Sequence, residues 1–238
     1  MHTDSLQDIL DFCAQRLPAL AGRVRLSEND FSSDAPAQMV GIFTRLSAAY
    51  PEAGAVYWAC RTWQLWLWQP VFVGVWAASV KQVYLDFSGF QHRMGEVFTE
   101  SFTLAEQPVV VRPSEKIVFQ TASHLKTWAL RELHLIQVHY PLSEKLALYF
   151  LGDSVLKALA AAHRVGLLGR VQTEDLAAQW QQALALRCNG RLMWQNDAQE
   201  FLVEMVGCCQ HFRRKDADYC AGCPKTRKKC GCMPSEKI

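Results

Sequence analysis

Apolar residues recur at helical spacing over most of the chain. In residues 4–20, Leu6, Ile9, Leu10, Cys13 and Leu17 share one face behind an acidic first turn, which predicts an amphipathic helix ending near Pro18. Residues 22–36 are rich in Gly, Ser, Asn, Asp and Pro and read as a loop. A second short helix follows over Gln38–Ala49, stopped by Pro51. Glu52–Gln69 reads as a helix carrying Trp58, Trp63, Trp66 and Trp68; Pro70 is expected to break it, with Val71–Val80 resuming as another apolar helical segment.

The period then changes. Gln82–Phe87, Gly95–Leu104 and Pro108–Arg112 are β-branched and aromatic, partly alternating, and separated by turn residues. They predict a small antiparallel sheet of two or three strands, with His92 and Arg93 in a turn. Helical spacing returns over Phe119–Val138 and again from Ser143, a natural cap, through His163, with Gly166 past the end. Thr173 opens a further helix that stops at Asn189-Gly190. A last helix is expected from Asn196 or Asp197, with Phe201, Leu202 and Met205 inward, ended by Gly207 and delivering Cys208-Cys209. The fold class expected is α+β: mostly helical, with a small antiparallel sheet near the middle and a C-terminal cysteine-rich lobe. Residues 1–206 and 207–238 form the two divisions.

Composition changes this picture in two places. The segment Thr62–Val80 has no charged residue and is long enough to span a bilayer. Gln64, Gln69 and the central Pro70 argue for a buried core helix instead, with the tryptophans packing inside it. An aromatic wall for a planar ligand, or a patch resting on the inner face of the cytoplasmic membrane, is the sharper alternative. Net charge over the 238 residues is only +2. Between His211 and Cys230, however, seven Lys and Arg stand against two Asp, marking where an anionic partner would sit. With little aromatic interleaving, this basic stretch does not suggest nucleic acid. The first residues show no basic region before an apolar run, so a cytoplasmic, reducing location is expected. Glycine-rich nucleotide loops and the common hydrolase motifs are absent from the sequence.

Against that background the run Gly207–Pro224 stands out. Cys208, Cys209, Cys220 and Cys223 place four thiols within sixteen positions on a polar stretch, where a small hydrophobe has no core to fill. An odd total of nine cysteines and reducing surroundings speak against disulfides. Cys220-x-x-Cys223 is a chelate loop, and the ten residues before it are long enough to return to the adjacent pair. Two centres satisfy four soft thiolates here: a structural zinc ion or a [2Fe–2S] cluster. An adjacent pair is an unusual zinc half-site. The basic residues Arg213, Arg214 and Lys215 would offset the negative charge of an iron–sulfur cluster, which grows on reduction. A zinc-stabilised binding or regulatory module with a basic tail is the alternative.

The pattern Cys-Cys-x10-Cys-x2-Cys with Pro224 after it resembles the FhuF-like ferric-siderophore reductases. More loosely, Leu67-Trp68-Gln69-Pro70 is similar to that family's middle region. The resemblance implies that Cys208, Cys209, Cys220 and Cys223 ligate a [2Fe–2S] cluster, which passes one electron to iron(III) in a siderophore so that iron(II) is released in the cytoplasm. It implies an external electron donor, a ferredoxin or flavin reductase, and makes residues 1–206 the siderophore-binding and reductase part. Arg213 and Arg214 by proximity, and Arg93, Arg131 and His134 by type, are the expected substrate contacts. The chain departs from the family pattern in continuing to Cys230 and Cys232.

Overall fold

The computed structural model describes residues 4–26, 34–95, 98–111 and 114–226; Cys230, Cys232 and most of the basic tail lie outside them. The first helix, α1 (Leu6–Arg16), starts at a capping box. Ser5 Oγ accepts from the Asp8 N–H at 3.2 Å, and the Asp8 carboxylate accepts from the Ser5 N–H at 2.8 Å. Its face of Leu6, Ile9, Leu10 and Cys13 is buried as the spacing requires. Helix α2 (Ala35–Ala49) is capped by Asp34 and begins before Gln38.

The core is organised on α3 (Gly54–Val80), which runs unbroken through Pro70. Proline removes one rung of the hydrogen-bond ladder and frees the carbonyl four residues earlier, at Trp66. The buried imidazole of His92 lies against that carbonyl, and α3 is enclosed on most sides by other helices, so packing holds it together across the missing rung. The tryptophans pack in the core, and Trp66 and Trp76 also line cavities. Trp63, Trp66 and Trp76 are almost fully buried, with indole N–H groups donating to Ala147 O, Glu132 Oε2 and Ala158 O.

Burial pushes the His92 pKa down to about 3. The unfolded chain binds a proton below about pH 6.5 while the folded one does not. Stability is therefore expected to fall by about 1.4 kcal/mol per pH unit as pH drops from 6.5 toward 3. Acid-series denaturation of His92→Gln should show a shallower slope.

In the three-stranded sheet, two strands arise where none is expected. A mixed sheet has the order β1 (Gly22–Arg25), β4 (Thr99–Ala105), β3 (Gln91–Met94); β1 is parallel to β4, and β3 antiparallel. His92 and Arg93 are thus on a strand, not in a turn. The Gly-Arg-Val-Arg of β1 is too short and charged to alternate visibly. Its pairing is decided by β4, and a Cβ at Gly22 would meet the Phe102 ring. A two-residue ladder joins β2 (Val83–Tyr84) to β5 (Val110–Val111).

Helices α4 (Ser114–Gln137), α5 (Glu144–Arg164) and α6 (Arg170–Leu184) complete the body. Ser143 caps α5 as expected. Helix α6 starts at Arg170 rather than Thr173, with Gly169 as its N-cap, whose N–H donates to the Gln172 side chain. Among the described residues, α5 alone is long and apolar enough to cross a membrane, and 67% of its most apolar window is buried in the fold.

The last expected helix is a β-hairpin: β6 (Arg191–Gln195) and β7 (Glu200–Glu204), antiparallel with Trp194 opposite Phe201. Phe201, Val203 and Met205 are buried while Leu202 and Glu204 are half-buried. This alternation of period two marks a strand with one face on the core. Asn196–Gln199 form its turn, with Gln199 at φ 51°.

Candidate metal centre

Strand β7 delivers the chain to the cysteines over a buried carboxylate. Asp153, in mid-α5 and 2% exposed, accepts from the backbone N–H of Val206 at 3.0 Å and of Gly207 at 2.8 Å. Gly207 is the end of this strand connection rather than a helix stop, and a Cβ there would lie 2.7 Å from the Phe150 ring. Cys208 and Cys209 follow, and Gln210 at φ 60° turns the chain into a 3-10 turn at His211–Arg213.

The excursion between the cysteine pairs is tied back to the start of α3. The Lys215 N–H donates to Glu52 at 3.1 Å, which holds the Glu52 carboxyl below its usual range. The Arg214 guanidinium binds Asp216 at 2.9 Å and stacks 3.9 Å over the Tyr50 ring. Phe212 and Tyr219 stack at 5.0 Å, with the Lys225 ammonium 4.4 Å over Phe212.

Cys220-Ala-Gly-Cys223 is a tight turn closed by the Cys223 N–H on the Cys220 carbonyl at 3.0 Å. Gly222 sits at φ +69° in its third position, a conformation open to glycine. Its carbonyl accepts from Met205 at 3.0 Å, so the turn is sewn to the end of β7. A Cβ at Gly222 would collide with the Val203 carbonyl oxygen. Gly222→Ala is expected to lower unfolding free energy by about 1–3 kcal/mol, read as a reduced denaturant midpoint.

The turn brings the two pairs together: Cys209 Sγ and Cys220 Sγ are 3.7 Å apart. Two sulfurs on one tetrahedral metal with bonds of about 2.3 Å lie about 3.8 Å apart, a spacing compatible with this pair. Among the described residues, no three His, Cys, Asp or Glu side chains gather about a single point; the fit is carried by this pair and by four soft donors in one lobe. The Cys209 thiol is pulled down to about 6, first by the hydrogen bond from Cys220 and then by His211, against burial. Cys220 is raised by the same hydrogen bond and by burial. The hydrogen bond from Cys220 thus favours a thiolate at Cys209, the form that a soft metal binds. Burial raises the Cys208 thiol.

The expected substrate residues scatter. Arg213 lies exposed in the 3-10 turn, and Arg214 is committed to Asp216 and Tyr50. Arg131, on α4, pairs with Glu132 at 2.9 Å and lines a cavity of about 1080 Å³ with Arg25, Phe90, His92 and Trp128; no residue of the cysteine lobe borders it. Arg93 is exposed on β3, and His134 bonds Leu130 of its own helix at 2.6 Å. Three residues near the thiols escaped sequence reasoning. Cys60 on α3 is buried, its thiol pushed up to about 12 by burial and by Cys208 and Cys209. Asp153 and Lys157 are the charged residues of the run Ala147–Ala162. One acid and one base four residues apart in an apolar helix were a signal that could have found them.

Residues 206–225 match the family model of the FhuF 2Fe-2S C-terminal domain, and Cys208, Cys209, Cys220 and Cys223 fit its Cys-Cys-x10-Cys-x2-Cys pattern. The match points to a [2Fe–2S] cluster as the cofactor. No solved structure matches the chain significantly.

Proposed function

We propose that this chain is a ferric-siderophore reductase of the cytoplasm, with Cys208, Cys209, Cys220 and Cys223 holding its cluster on a helical body. The observation that carries this reading is the 3.7 Å approach of Cys209 and Cys220 inside the segment matched to the FhuF 2Fe-2S domain. When bound, a [2Fe–2S] cluster supplies one electron at a time to siderophore iron(III), and the iron(II) formed is released because the chelator holds it far more weakly.

The residues of the chain do the rest by placement. Asp153 and Gly222 fix the ends of the two cysteine pairs against α5 and β7. The Lys157 ammonium acts on Cys209, which favours the thiolate and would raise the reduction potential of a bound cluster. Cys209 and Cys223 are largely buried while Cys208 and Cys220 are half-exposed, so the lobe has one sheltered and one accessible side. No catalytic acid or base is required for outer-sphere electron transfer. The exposed Arg213, Lys215 and Lys225 offer a basic surface to an acidic one-electron donor such as a ferredoxin, or to a flavin reductase.

Anaerobically purified protein should be red-brown, contain about two irons and two sulfides per chain, bleach with dithionite and become paramagnetic. The reduced protein should convert ferric siderophore to iron(II), captured by a ferrous chelator. Colourless protein with stoichiometric zinc would sink the proposal.

A further inference from the structure

A second cavity, of about 820 Å³, opens beside the cysteine lobe. Its walls are Phe72 and Trp76 of α3, Lys157 and Ala161 of α5, and the β6–β7 hairpin; Ala221, inside the Cys220–Cys223 turn, also lines it. The volume is that of a small-molecule site. We propose that this cavity is the docking site for the ferric siderophore, oriented with its iron toward Ala221. The assignment rests on the reductase reading above and adds where the substrate sits and which side chains hold it.

Three observations carry it. Electron transfer needs close approach, and Ala221 is bonded directly to Cys220, whereas the larger cavity beside Arg131 borders no residue of the cysteine lobe. Lys157 lines the cavity, acts electrostatically on Cys209 and, among the described residues, makes no ion pair or hydrogen bond. A half-buried ammonium so placed is available to the anionic oxygens that surround chelated iron(III). Arg164 at the rim is by contrast paired with Glu200 at 3.2 Å. The apolar floor is rigid, because the Trp76 indole is anchored on Ala158 O at 2.8 Å. Lys157, Ala161 and Arg164 recur on one face of α5 at helical spacing, so a single helix lines the cavity along its length. A bound [2Fe–2S] cluster would supply one electron to iron(III), giving iron(II). No bond to the protein forms or breaks, and a reduced one-electron carrier protein restores the electron.

The test uses holoprotein and redox-inert gallium(III) chelates, so that docking is read apart from turnover. Gallium complexes of a tris-hydroxamate (desferrioxamine B) and of a tris-catecholate (enterobactin) are titrated calorimetrically. At least one should bind wild type. Ala161→Trp, which fills the cavity, should weaken that binding by about tenfold or more with visible cluster spectra unchanged, and Lys157→Gln should weaken it by a few-fold. Ala221→Trp, at an exposed position, provides a blocked variant should the α5 substitution disturb folding. Undiminished affinity in all three variants, or iron reduction by wild type without measurable docking of either chelate, overturns the site alone. Slower reduction by a carrier protein with unchanged chelate affinity would assign the cavity to the donor and likewise overturn it. Wild type that neither binds a chelate nor reduces its ferric form overturns the reductase reading itself.

Discussion

Cys220→Ser is expected to abolish the cluster while leaving the helical body folded. Cys220 opens the chelate turn, sits 3.7 Å from Cys209 and is only half-buried, so its removal leaves no core cavity. A serine hydroxyl is a hard, weakly acidic donor in place of a soft thiolate. The expected result is loss of about nine-tenths or more of the visible absorbance and of the reduced-state paramagnetic signal, with far-ultraviolet circular dichroism unchanged. Cys13→Ser provides the contrast. Cys13 is fully buried on α1, its thiol pushed up to about 12 by burial, and it packs as a hydrophobe. Placing a hydroxyl there should cost about 1–3 kcal/mol and keep the cluster. Equal cluster loss in both variants would refute the ligand assignment.

The second large effect lies outside the cysteine motif. Asp153→Ala is expected to destabilise the protein by about 3–5 kcal/mol and to lower cluster occupancy. The carboxylate is buried and accepts from two successive backbone N–H groups, Val206 and Gly207. Without it those donors are stranded in the interior, at about 1–3 kcal/mol each, and the strand end that positions Cys208 loses its anchor. Asp153→Asn keeps an acceptor oxygen and should cost less than half as much. Chemical denaturation of the two variants, with iron content per folded chain, checks the order. An alanine variant with wild-type stability and full iron would remove Asp153 from the support of the site.

How far the chain could be read in advance differs from element to element. Helix α5 was legible because its cap, apolar face and terminating glycine all lie within its own sequence. The β6–β7 hairpin is misread because Phe201, Leu202 and Met205 satisfy a helical spacing while Phe201, Val203 and Met205 satisfy a strand; only the pairing of Trp194 with Phe201 across the turn separates the two. Pro70 was expected to break a helix that enclosing neighbours keep intact. Arg214 has the right charge and sequence position for a substrate contact, yet the side chains of Asp216 and Tyr50 take it up.

The sequence by itself determined the cysteine spacing, the chelate turn with its glycine and the family resemblance they carry, since these depend on residues close together in the chain. It also determined that apolar helices dominate. The tertiary structure decided what stands around the thiols: a hairpin in place of a helix, Asp153 beneath Gly207, and Lys157 lining a cavity that Ala221 also borders. Asp153 and Lys157 lie more than fifty residues away from the thiols along the chain, and no local period encodes a contact that exists only once α5 packs against β7.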